Sequence, residues 1–436
     1  MDRMYDDFHG LWRSSAMEKH PYTEDFPEPL LVSPELYDGS IGHGKASNIW
    51  IEYDFTKTPA LTRVRDDGQG IRNETRLLTW AASTSQTTEH RNGHGHKKAM
   101  TKFAPNYETA KWSIQYRKPG GNLILLKGPF LGNRTLKIED EENTTALMPS
   151  GTETCIEFDK TVLGRFSNPA TLAEGLKELL RSRYSEAILQ KVTFHIDIHS
   201  LNAKGERVHA KMNSRTEKWH SFRWHVDAGV TAGYIRALCV NQTHTSAGAP
   251  WTLSVFKITT KGTKGFALKE EFPTYGKKNQ ATQRVYIALQ DRMIEASPLY
   301  PFLDRLSPHN DHNGLIVFVD FTSPELEKQL TPSTTKVSIY PSGEIYNQFV
   351  TDFKGYLKDI LTAPVETDDS SGSEASPARP TPVARVERAV LVATDLGVSF
   401  HMKNGQMFVD FNDGTGMKLL RNYALKPKPS TASSTA

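Results

Sequence analysis

A glycine-containing loop follows directly after a strand-like run in the first part of this sequence. Leu61–Val64 has the composition of a strand, and Arg65–Ile71 (RDDGQGI) follows it without a break. An aspartate followed by two glycines at alternate positions forms a compact loop whose backbone can approach a ligand closely. Asp66 can accept a hydrogen bond from an exocyclic amine in such a loop. Taken alone, an Asp-Gly segment is more often an ordinary turn.

Three further short segments lie before and after this loop in the sequence. Pro34–Ile41 (PELYDGSI) lies upstream and precedes a strand-like run. Asn92–Ala99 (NGHGHKKA) lies downstream, and its two glycines followed by two lysines suit the wrapping of phosphates by backbone N–H groups. Ser150–Thr152 precedes an alternating strand, Glu153–Phe158. The Arg65–Ile71 loop is therefore one of four such segments that follow one another along the chain.

In order and spacing, these segments resemble the four motifs of the GHKL ATPases, the class of gyrase B subunits, MutL, the heat-shock-90 chaperones and the MORC proteins. The lid and lysine segments are most similar to those of MORC proteins. The resemblance implies an α/β fold: a two-layer sandwich of the GHKL (Bergerat) type followed by a transducer-like α/β domain. It also implies ATP and Mg²⁺ as cofactors.

The resemblance implies a role for single positions. Glu35 matches the general base that polarises the attacking water, and Asp66 matches the carboxylate that holds the adenine amine. Thr152 matches the threonine that supports this aspartate. The remaining ATP-binding positions are Gly68 and Gly70 in the adenine-side turn, Gly93 and Gly95 in the lid, Lys97 at the phosphates, and Asp38.

One position departs from the family pattern. The family has an asparagine four residues after the glutamate, where it helps hold Mg²⁺, and this chain has Gly39 there. Because Mg²⁺ neutralises charge that develops on the transferred phosphoryl group, we expect ATP hydrolysis to be weaker than ATP binding. Asp38 and Ser40 are the neighbouring side chains that could substitute. The sequence assigns no residue as a metal ligand.

A second nucleotide motif overlaps this segment. Gly39–Lys45 fits the spacing of a P-loop through its lysine, but Ala46 stands where Mg²⁺ binding needs serine or threonine. A strand-like run follows, whereas a P-loop opens a helix that meets the phosphates with its N-terminus. We interpret the match as a coincidence in a glycine-rich loop.

The second half of the chain resembles the transducer domain of gyrase B, MutL and MORC proteins. Gly314–Phe321 is a buried-strand run, and Thr331–Lys336 (TPSTTK) follows it. Arg284–Ile294 resembles a strand-turn-strand element of that domain. The resemblance makes Lys336 the catalytic lysine that reaches back to the γ-phosphate. The alternative is that Lys336 is a solvated loop lysine.

Local patterns predict several elements and the domain limits. We expect strands at Ile49–Phe55, Trp112–Tyr116 and Leu123–Leu126, helices at Thr171–Leu189 and Ile345–Leu361, and a hairpin within Gly397–Phe411. The predicted organisation is an irregular lead-in at 1–27, a GHKL ATP-binding domain at 28–165, a transducer-like domain at 166–361, a disordered linker at 362–385, a small β element at 386–425 and a disordered tail at 426–436.

Composition adds limits. The formal charge is +3, so any nucleic-acid-binding patch must be local. The two cysteines, Cys155 and Cys239, suit a reducing compartment, and no run of eighteen apolar residues predicts a membrane span, so we expect an intracellular protein. His90, His94 and His96 are interpreted as solvated histidines of the lid rather than metal ligands.

The resulting functional hypothesis is an ATP-binding protein, with ATP hydrolysis, that acts as a nucleotide-gated homodimeric clamp on DNA. One alternative is a nucleotide-binding switch or scaffold with weak or no catalysis, which Gly39 favours. Another is a chaperone-like GHKL protein that acts on protein clients. DNA-stimulated turnover would favour the clamp, and partner binding without nucleotide would favour the scaffold.

Overall fold

The structure is a computed structural model. It describes residues 12–17, 26–42, 44–71, 95–106, 108–128, 137–141, 150–259, 267–273, 284–289, 292–299, 302, 314–321, 344–362, 399–403, 406–410 and 418–419. These residues belong to two compact units, Met1–Thr362 and Ala363–Ala436, which are considered separately. The fold is of the mixed α/β class, as the sequence predicts, with two sheets flanked by helices in the first unit.

The first sheet has eight strands in the order β5-β4-β3-β6-β2-β1-β7-β8. The strands β1 and β7 are parallel, and every other neighbouring pair is antiparallel. The strands are β1 Asn48–Asp54, β2 Ala60–Asp66, β3 Trp112–Arg117, β4 Leu123–Lys127, β5 Lys137–Glu141, β6 Gly151–Phe158, β7 Thr193–Leu201 and β8 Arg207–Asn213.

One face of this sheet is buried and the other is open. In β1 the alternate residues Ile49, Ile51 and Tyr53 are buried, whereas Trp50 and Glu52 between them are half-buried. Because successive strand residues point to opposite faces, this alternation assigns the apolar set to the core. Helices cover the apolar face. The polar face carries a groove that is lined in part by Trp50, Asp197 and Lys211.

The helices of the first unit are short except for the two that cover the sheets. Among the described residues, 12–17 are helical, and the further helices are α1 Glu28–Val32, α2 Glu35–Gly42, α3 Gly95–Phe103, α4 Pro169–Arg183, α5 Glu186–Lys191, α6 Phe222–Thr231, α7 Ala267–Glu271 and α8 Glu344–Thr362, with a 3₁₀ segment at Lys160–Ser167. Asn168 caps α4 by accepting from the backbone N–H groups of Ala170 and Thr171, and Pro169 occupies the first helical turn.

The second sheet has five strands in the order β12-β11-β13-β10-β9. Its strands are β9 Ile235–Ser246, β10 Ala249–Ile258, β11 Arg284–Leu289, β12 Arg292–Pro298 and β13 Leu315–Phe321. Both faces are buried at β11 and β13, and in β13 the side chains alternate between two cores. Val317 and Val319 pack with Phe349 and Phe353 of α8, whereas Phe318 joins the core shared with the first sheet.

Two predictions differ from the structure. The boundary at 165/166 does not separate the two sheets, because β7 and β8 pair beside β1 and complete the first one. Residues 28–165 and 166–361 also lie in one compact unit. The helix predicted over Thr171–Leu189 is interrupted, because Tyr184 adopts an extended backbone conformation and Ser185 then caps a new helix through the N–H of Ile188.

Other predicted elements are confirmed. The strand predicted at Ile49–Phe55 is β1, the predicted strands at 112–116 and 123–126 pair as the antiparallel hairpin β3–β4, and the predicted helix Ile345–Leu361 is α8. In the second unit, β14 Ser399–Lys403 pairs antiparallel with β15 Gln406–Asp410, which confirms the predicted hairpin, and β16 Lys418–Leu419 adds a third strand. Among the described helices, none is both long and apolar enough to cross a membrane.

Candidate functional site

The loop that follows β2 carries a buried carboxylate with several donors. Asp66 is the last residue of β2, and it is 3% exposed. Its Oδ2 accepts from the Ser40 hydroxyl at 2.7 Å, and its Oδ1 accepts from the backbone N–H of Gly68 at 2.8 Å. The backbone N–H of Thr152 also donates to this carboxylate. Burial raises the pKa of Asp66, and these donors act against that rise.

Two glycines, one in this loop and one at the start of β6, allow the backbone to pack closely around Asp66. Gly70 has φ +69°, and a Cβ there would lie 2.5 Å from the carbonyl oxygen of Arg117. Gly151, at the start of β6, has φ +131°, and a Cβ there would overlap the carbonyl oxygen of Asp66. The backbone of β6 therefore approaches Asp66 more closely than any residue with a side chain would allow. This close approach brings the N–H of Thr152 to the carboxylate.

Helix α2 contributes two buried carboxylates that pair with one arginine. Glu35 and Asp38 are 6% and 4% exposed. Arg292, the first residue of β12 in the second sheet, donates from Nη2 to Glu35 Oε1 at 2.9 Å, and its Nη1 contacts Asp38 Oδ2. All three side chains are removed from water, so the arginine supplies the positive charge that two neighbouring buried carboxylates need.

The interruption after α4 completes this cluster. Tyr184 forms an isolated antiparallel β-bridge with Arg292, and its hydroxyl donates to Asp38 Oδ1 at 2.6 Å. Had the helix continued through Tyr184, this backbone pairing with β12 could not form. The break in the helix therefore brings a tyrosine and an arginine from distant segments to the same carboxylate.

Helix α3 begins beside the same cluster. A Cβ on Gly95 would overlap the carboxylate of Glu35, so the glycine allows the helix N-terminus to lie against that side chain. The free N–H groups and the dipole of a helix N-terminus favour a negative group at this position. The carboxylate of Glu35 therefore lies between Arg292 and the start of α3.

Lys97 and His96 follow in the first turn of α3. Lys97 is 6% exposed, and burial lowers its pKa from 10.5 to about 8. Burial, and secondarily the charge of Lys97, lowers the pKa of His96 to about 4, so this imidazole is neutral at pH 7. Its Nε2 lies 3.2 Å from the Thr154 hydroxyl. His96 is thus partly buried and hydrogen-bonded, and the interpretation as a solvated histidine is wrong at this position.

The site residues expected from the sequence are therefore partly brought together. Glu35, Asp38, Gly95 and Lys97 lie at one cluster around α2 and α3, and Asp66, Gly68, Gly70 and Thr152 at the adjoining end of β2. Ser40 links the two, since it belongs to α2 and donates to Asp66. Gly93, Lys336, His90 and His94 lie outside the described residues.

The described residues of this cluster do not form a site for Mg²⁺. The carboxylates of Glu35 and Asp38 both pair with Arg292, and the hydroxyl of Ser40 donates to Asp66. A cation beside these carboxylates would meet the guanidinium, which repels it. Gly39 offers no side-chain ligand, although a Cβ there would meet nothing within 4 Å. The substitution of Asp38 or Ser40 for the family asparagine is therefore not supported in this arrangement.

Sequence reasoning missed three residues of the site. The sequence predicts Arg292 only as part of a strand-turn-strand element, and Tyr184 only as part of the helix over Thr171–Leu189. Ser40 was considered as a metal ligand and not as a partner of Asp66. The sequence offers one signal for the role of Arg292. It stands at the start of an apolar strand, beside Met293 and Ile294, and a buried arginine needs a partner.

Comparison with known proteins adds little to this geometry. The chain matches no protein-family model and no curated protein. It is similar to a solved structure described as "Crystal Structure of N terminal domain of a DNA repair protein", over 80% of this chain and 97% of that chain, with 13% sequence identity and a TM-score of 0.45. Values this low leave the functional argument to the residues of the site.

Proposed function

We propose that this protein binds ATP at the cluster formed by α2, the loop after β2 and the start of α3, as a member of the GHKL class. The order of the four motifs supports the class, and their convergence on one region supports a common ligand. The observation that carries the proposal is the buried carboxylate of Asp66, which is held by the Ser40 hydroxyl and two backbone N–H groups.

In the proposed complex, Asp66 accepts a hydrogen bond from the adenine amine. The loop at Gly68 and Gly70 lets the backbone approach the base, and Thr152 fixes the carboxylate. Lys97 and the N-terminus of α3 hold the phosphates, because a buried cation and a helix N-terminus both favour anions. Two further contacts with ATP are proposed: Gly93 in the lid, and Lys336 at the γ-phosphate.

The base specificity of binding tests this assignment. ATP presents an amine to Asp66, whereas GTP presents a carbonyl oxygen at the same ring position, which the carboxylate repels. A site built around a buried hydrogen-bonding group rejects the mismatched ligand strongly, so we expect ATP to bind at least about 100-fold more tightly than GTP. Equilibrium titration of the full chain with both nucleotides measures this ratio. Equal affinities would contradict a role of Asp66 in reading the base.

The pH dependence of binding tests the role of Lys97. Burial lowers the pKa of Lys97 to about 8 in the nucleotide-free protein, and an anionic phosphate favours its protonated form. Below pH 8 the lysine is already charged, so its contribution to affinity is constant. Above pH 8 binding requires proton uptake, and we expect the affinity for ATP to fall by up to about tenfold per pH unit.

Two neighbouring lysines provide the test variant and its matched control. Lys97→Met should weaken binding at pH 7 and remove the decline between pH 8 and pH 9.5. Lys98→Met, one residue further along α3, should retain that decline. A decline that persists in Lys97→Met would assign the titration to another group.

We propose that ATP turnover is slow in the native chain. The general base of the family resemblance, Glu35, is paired with Arg292, and a paired carboxylate is a poor acceptor for a proton from water. The position of the family's metal-binding asparagine is Gly39. Nucleotide binding as a switch is therefore the activity that the described residues support best, with hydrolysis as a weaker second activity.

A substitution at Gly39 tests whether the missing metal-binding asparagine slows ATP turnover. Gly39 lies within α2, and its Cβ direction is open, so an added side chain fits. Gly39→Asn supplies the missing ligand type, and we expect Mg²⁺-dependent turnover to rise by about tenfold. Gly39→Ala is the control, because it also replaces glycine by a residue of higher helix propensity, higher than that of asparagine, without adding a ligand. An equal rate in both variants would show that the absent asparagine does not limit turnover.

For the partner we propose DNA, with ATP binding favouring a homodimeric clamp, as in the family members that share the two-domain layout. The contact of Arg292 in the second sheet with α2 supports a link between nucleotide state and domain arrangement. Sedimentation with and without a non-hydrolysable ATP analogue measures dimerisation, and duplex DNA added to each state measures the clamp. Stimulation by unfolded protein clients instead would favour the chaperone-like alternative.

A further inference from the structure

The open face of the first sheet brings together one aspartate and two histidines, residue types that commonly bind metal ions in proteins. Asp197 and His199 are two residues apart on β7, so they point to the same face. His209 on β8 is the register partner of His199, which places its side chain on that face as well. All three are at least partly exposed, and they lie on β7 and β8, which contain none of the residues of the proposed nucleotide site.

The separations between their ligand atoms match a coordination shell. Asp197 Oδ1 lies 3.4 Å from His199 Nε2 and 3.5 Å from His209 Nδ1, and all three atoms are within 4.8 Å of one another. Ligand atoms about 2.0–2.1 Å from a tetrahedral zinc ion are roughly 3.3–3.4 Å apart. The two oxygen-to-nitrogen separations are therefore already those of two tetrahedral edges. The third separation, between the two imidazole nitrogens, is at most 4.8 Å and must shorten when an ion binds.

The surrounding charges orient the aspartate. Its Oδ1 faces both imidazoles, whereas Oδ2 lies 3.3 Å from Lys211 Nζ, so one oxygen remains for a metal. A second carboxylate, Glu52 on β1, lies 3.8 Å from His199 Nε2 and is held from its other oxygen by Arg63 at 2.8 Å. Such outer partners fix the direction of a ligand, and Lys211 also opposes a cation by its charge.

We propose that Asp197, His199 and His209 form a binding site for a divalent transition-metal ion, with Zn²⁺ as the best match. Two imidazoles and one carboxylate are the ligand set that zinc accepts, and harder ions such as Mg²⁺ prefer oxygen alone. Three protein ligands leave the fourth position to water, to Glu52 or to a partner molecule. The ion joins β7 to β8, which is the edge strand of the sheet.

The site is independent of the proposed nucleotide site, so it can be tested without ATP. Untagged full chain, freed of metal with a chelator and dialysed, is titrated with Zn²⁺ by calorimetry and with Co²⁺ by absorption spectroscopy. We expect one ion per chain, a visible Co²⁺ spectrum with intensity typical of four-coordination, and a melting temperature that rises with Zn²⁺ concentration.

Variants distinguish this cluster from the other histidines of the chain. His199→Ala and His209→Ala should each weaken Zn²⁺ binding at least about tenfold and abolish the Co²⁺ spectrum. Lys211→Met should bind more tightly than the native chain, because it removes the competing positive charge beside Asp197. His220→Ala is the control, because His220 pairs with Glu186 away from the cluster, and it should bind as the native chain does.

Two results would overturn the proposal. If the native chain binds no Zn²⁺ in the micromolar range, the three residues form an ordinary hydrogen-bonded cluster on the sheet. If the His199 and His209 variants bind Zn²⁺ as the native chain does, the ion is bound elsewhere. Circular dichroism of each variant excludes unfolding as the cause of lost binding.

Discussion

Replacing Arg292 with alanine is expected to lower the free energy of unfolding by about 3–5 kcal/mol, a cost typical of removing one partner from a buried ion pair. Arg292 and its partners Glu35 and Asp38 are each close to fully buried. The variant leaves two carboxylates near each other in a medium of low dielectric constant without the guanidinium that pairs with both. Urea unfolding followed by tryptophan fluorescence measures the change.

Two comparisons isolate the buried charge. Arg63→Ala breaks an ion pair of similar length with Glu52, at 2.8 Å, but both side chains are about one-third exposed, and we expect a loss below about 1 kcal/mol. Combining Arg292→Met with Glu35→Gln and Asp38→Asn removes all three charges, so this triple variant should be more stable than Arg292→Met alone. A loss in Arg292→Ala no larger than that in Arg63→Ala would contradict the buried ion pair.

The Arg292 contact has a consequence for any nucleotide switch in this fold. Arg292 belongs to the second sheet and Glu35 to α2, which packs with the first sheet. Freeing Glu35 to act on water requires Arg292 to move or to find another anion, and the phosphates of a bound nucleotide are such an anion. Arg292, which pairs with the proposed general base Glu35, would then also report nucleotide binding to the second sheet. This link adds to the proposed contact of Lys336.

Local sequence patterns predicted those parts of the fold that depend on local physics. The alternation in Ile49–Phe55 and the stripe in Ile345–Leu361 arise because β1 and α8 each bury one face, and both elements were found. The parallel pairing of β7 with β1 has no local signal, since the strands are joined through several intervening elements. For this reason the expected boundary at 165/166 divided a sheet that continues through residue 213.

The candidate site shows the same division. The segments around Glu35, Asp66 and Lys97 were identified because their order and spacing along the chain resemble the GHKL motifs. Arg292 is 257 positions from Glu35, and Tyr184 is 146 positions from Asp38. Their roles follow from a helix that stops at Arg183 and a β-bridge that then forms, both of which are tertiary effects. The Asp197–His199–His209 cluster likewise depends on a strand register.

Replacing Asp66 with alanine is expected to weaken ATP binding by roughly 100-fold, because a hydrogen bond to a charged group contributes about 1.5–3 kcal/mol. The variant also removes the acceptor of the Ser40 hydroxyl and of two backbone N–H groups. These buried donors lose their partner, and we expect an accompanying loss of stability of about 1–3 kcal/mol. Binding is therefore measured well below the melting temperature of each variant.

The adjacent residue provides a matched control. Asp67 also holds three donors, the backbone N–H groups of Ser47 and Asn48 and the side-chain amide of Asn48, at 2.7–2.9 Å. These bonds connect the loop to the start of β1 and not to Ser40 and Thr152. Asp67→Ala should therefore perturb the same loop and retain ATP binding within a few-fold.

Equilibrium binding of ATP to the full chain, with native protein, Asp66→Ala and Asp67→Ala measured side by side by calorimetry, tests the assignment of Asp66 to the nucleotide site. We expect one ATP per chain for the native protein and for Asp67→Ala, and a roughly 100-fold weaker affinity for Asp66→Ala. No measurable ATP binding by the native chain, or equal binding by folded Asp66→Ala, would contradict the assignment of this cluster as a GHKL nucleotide site.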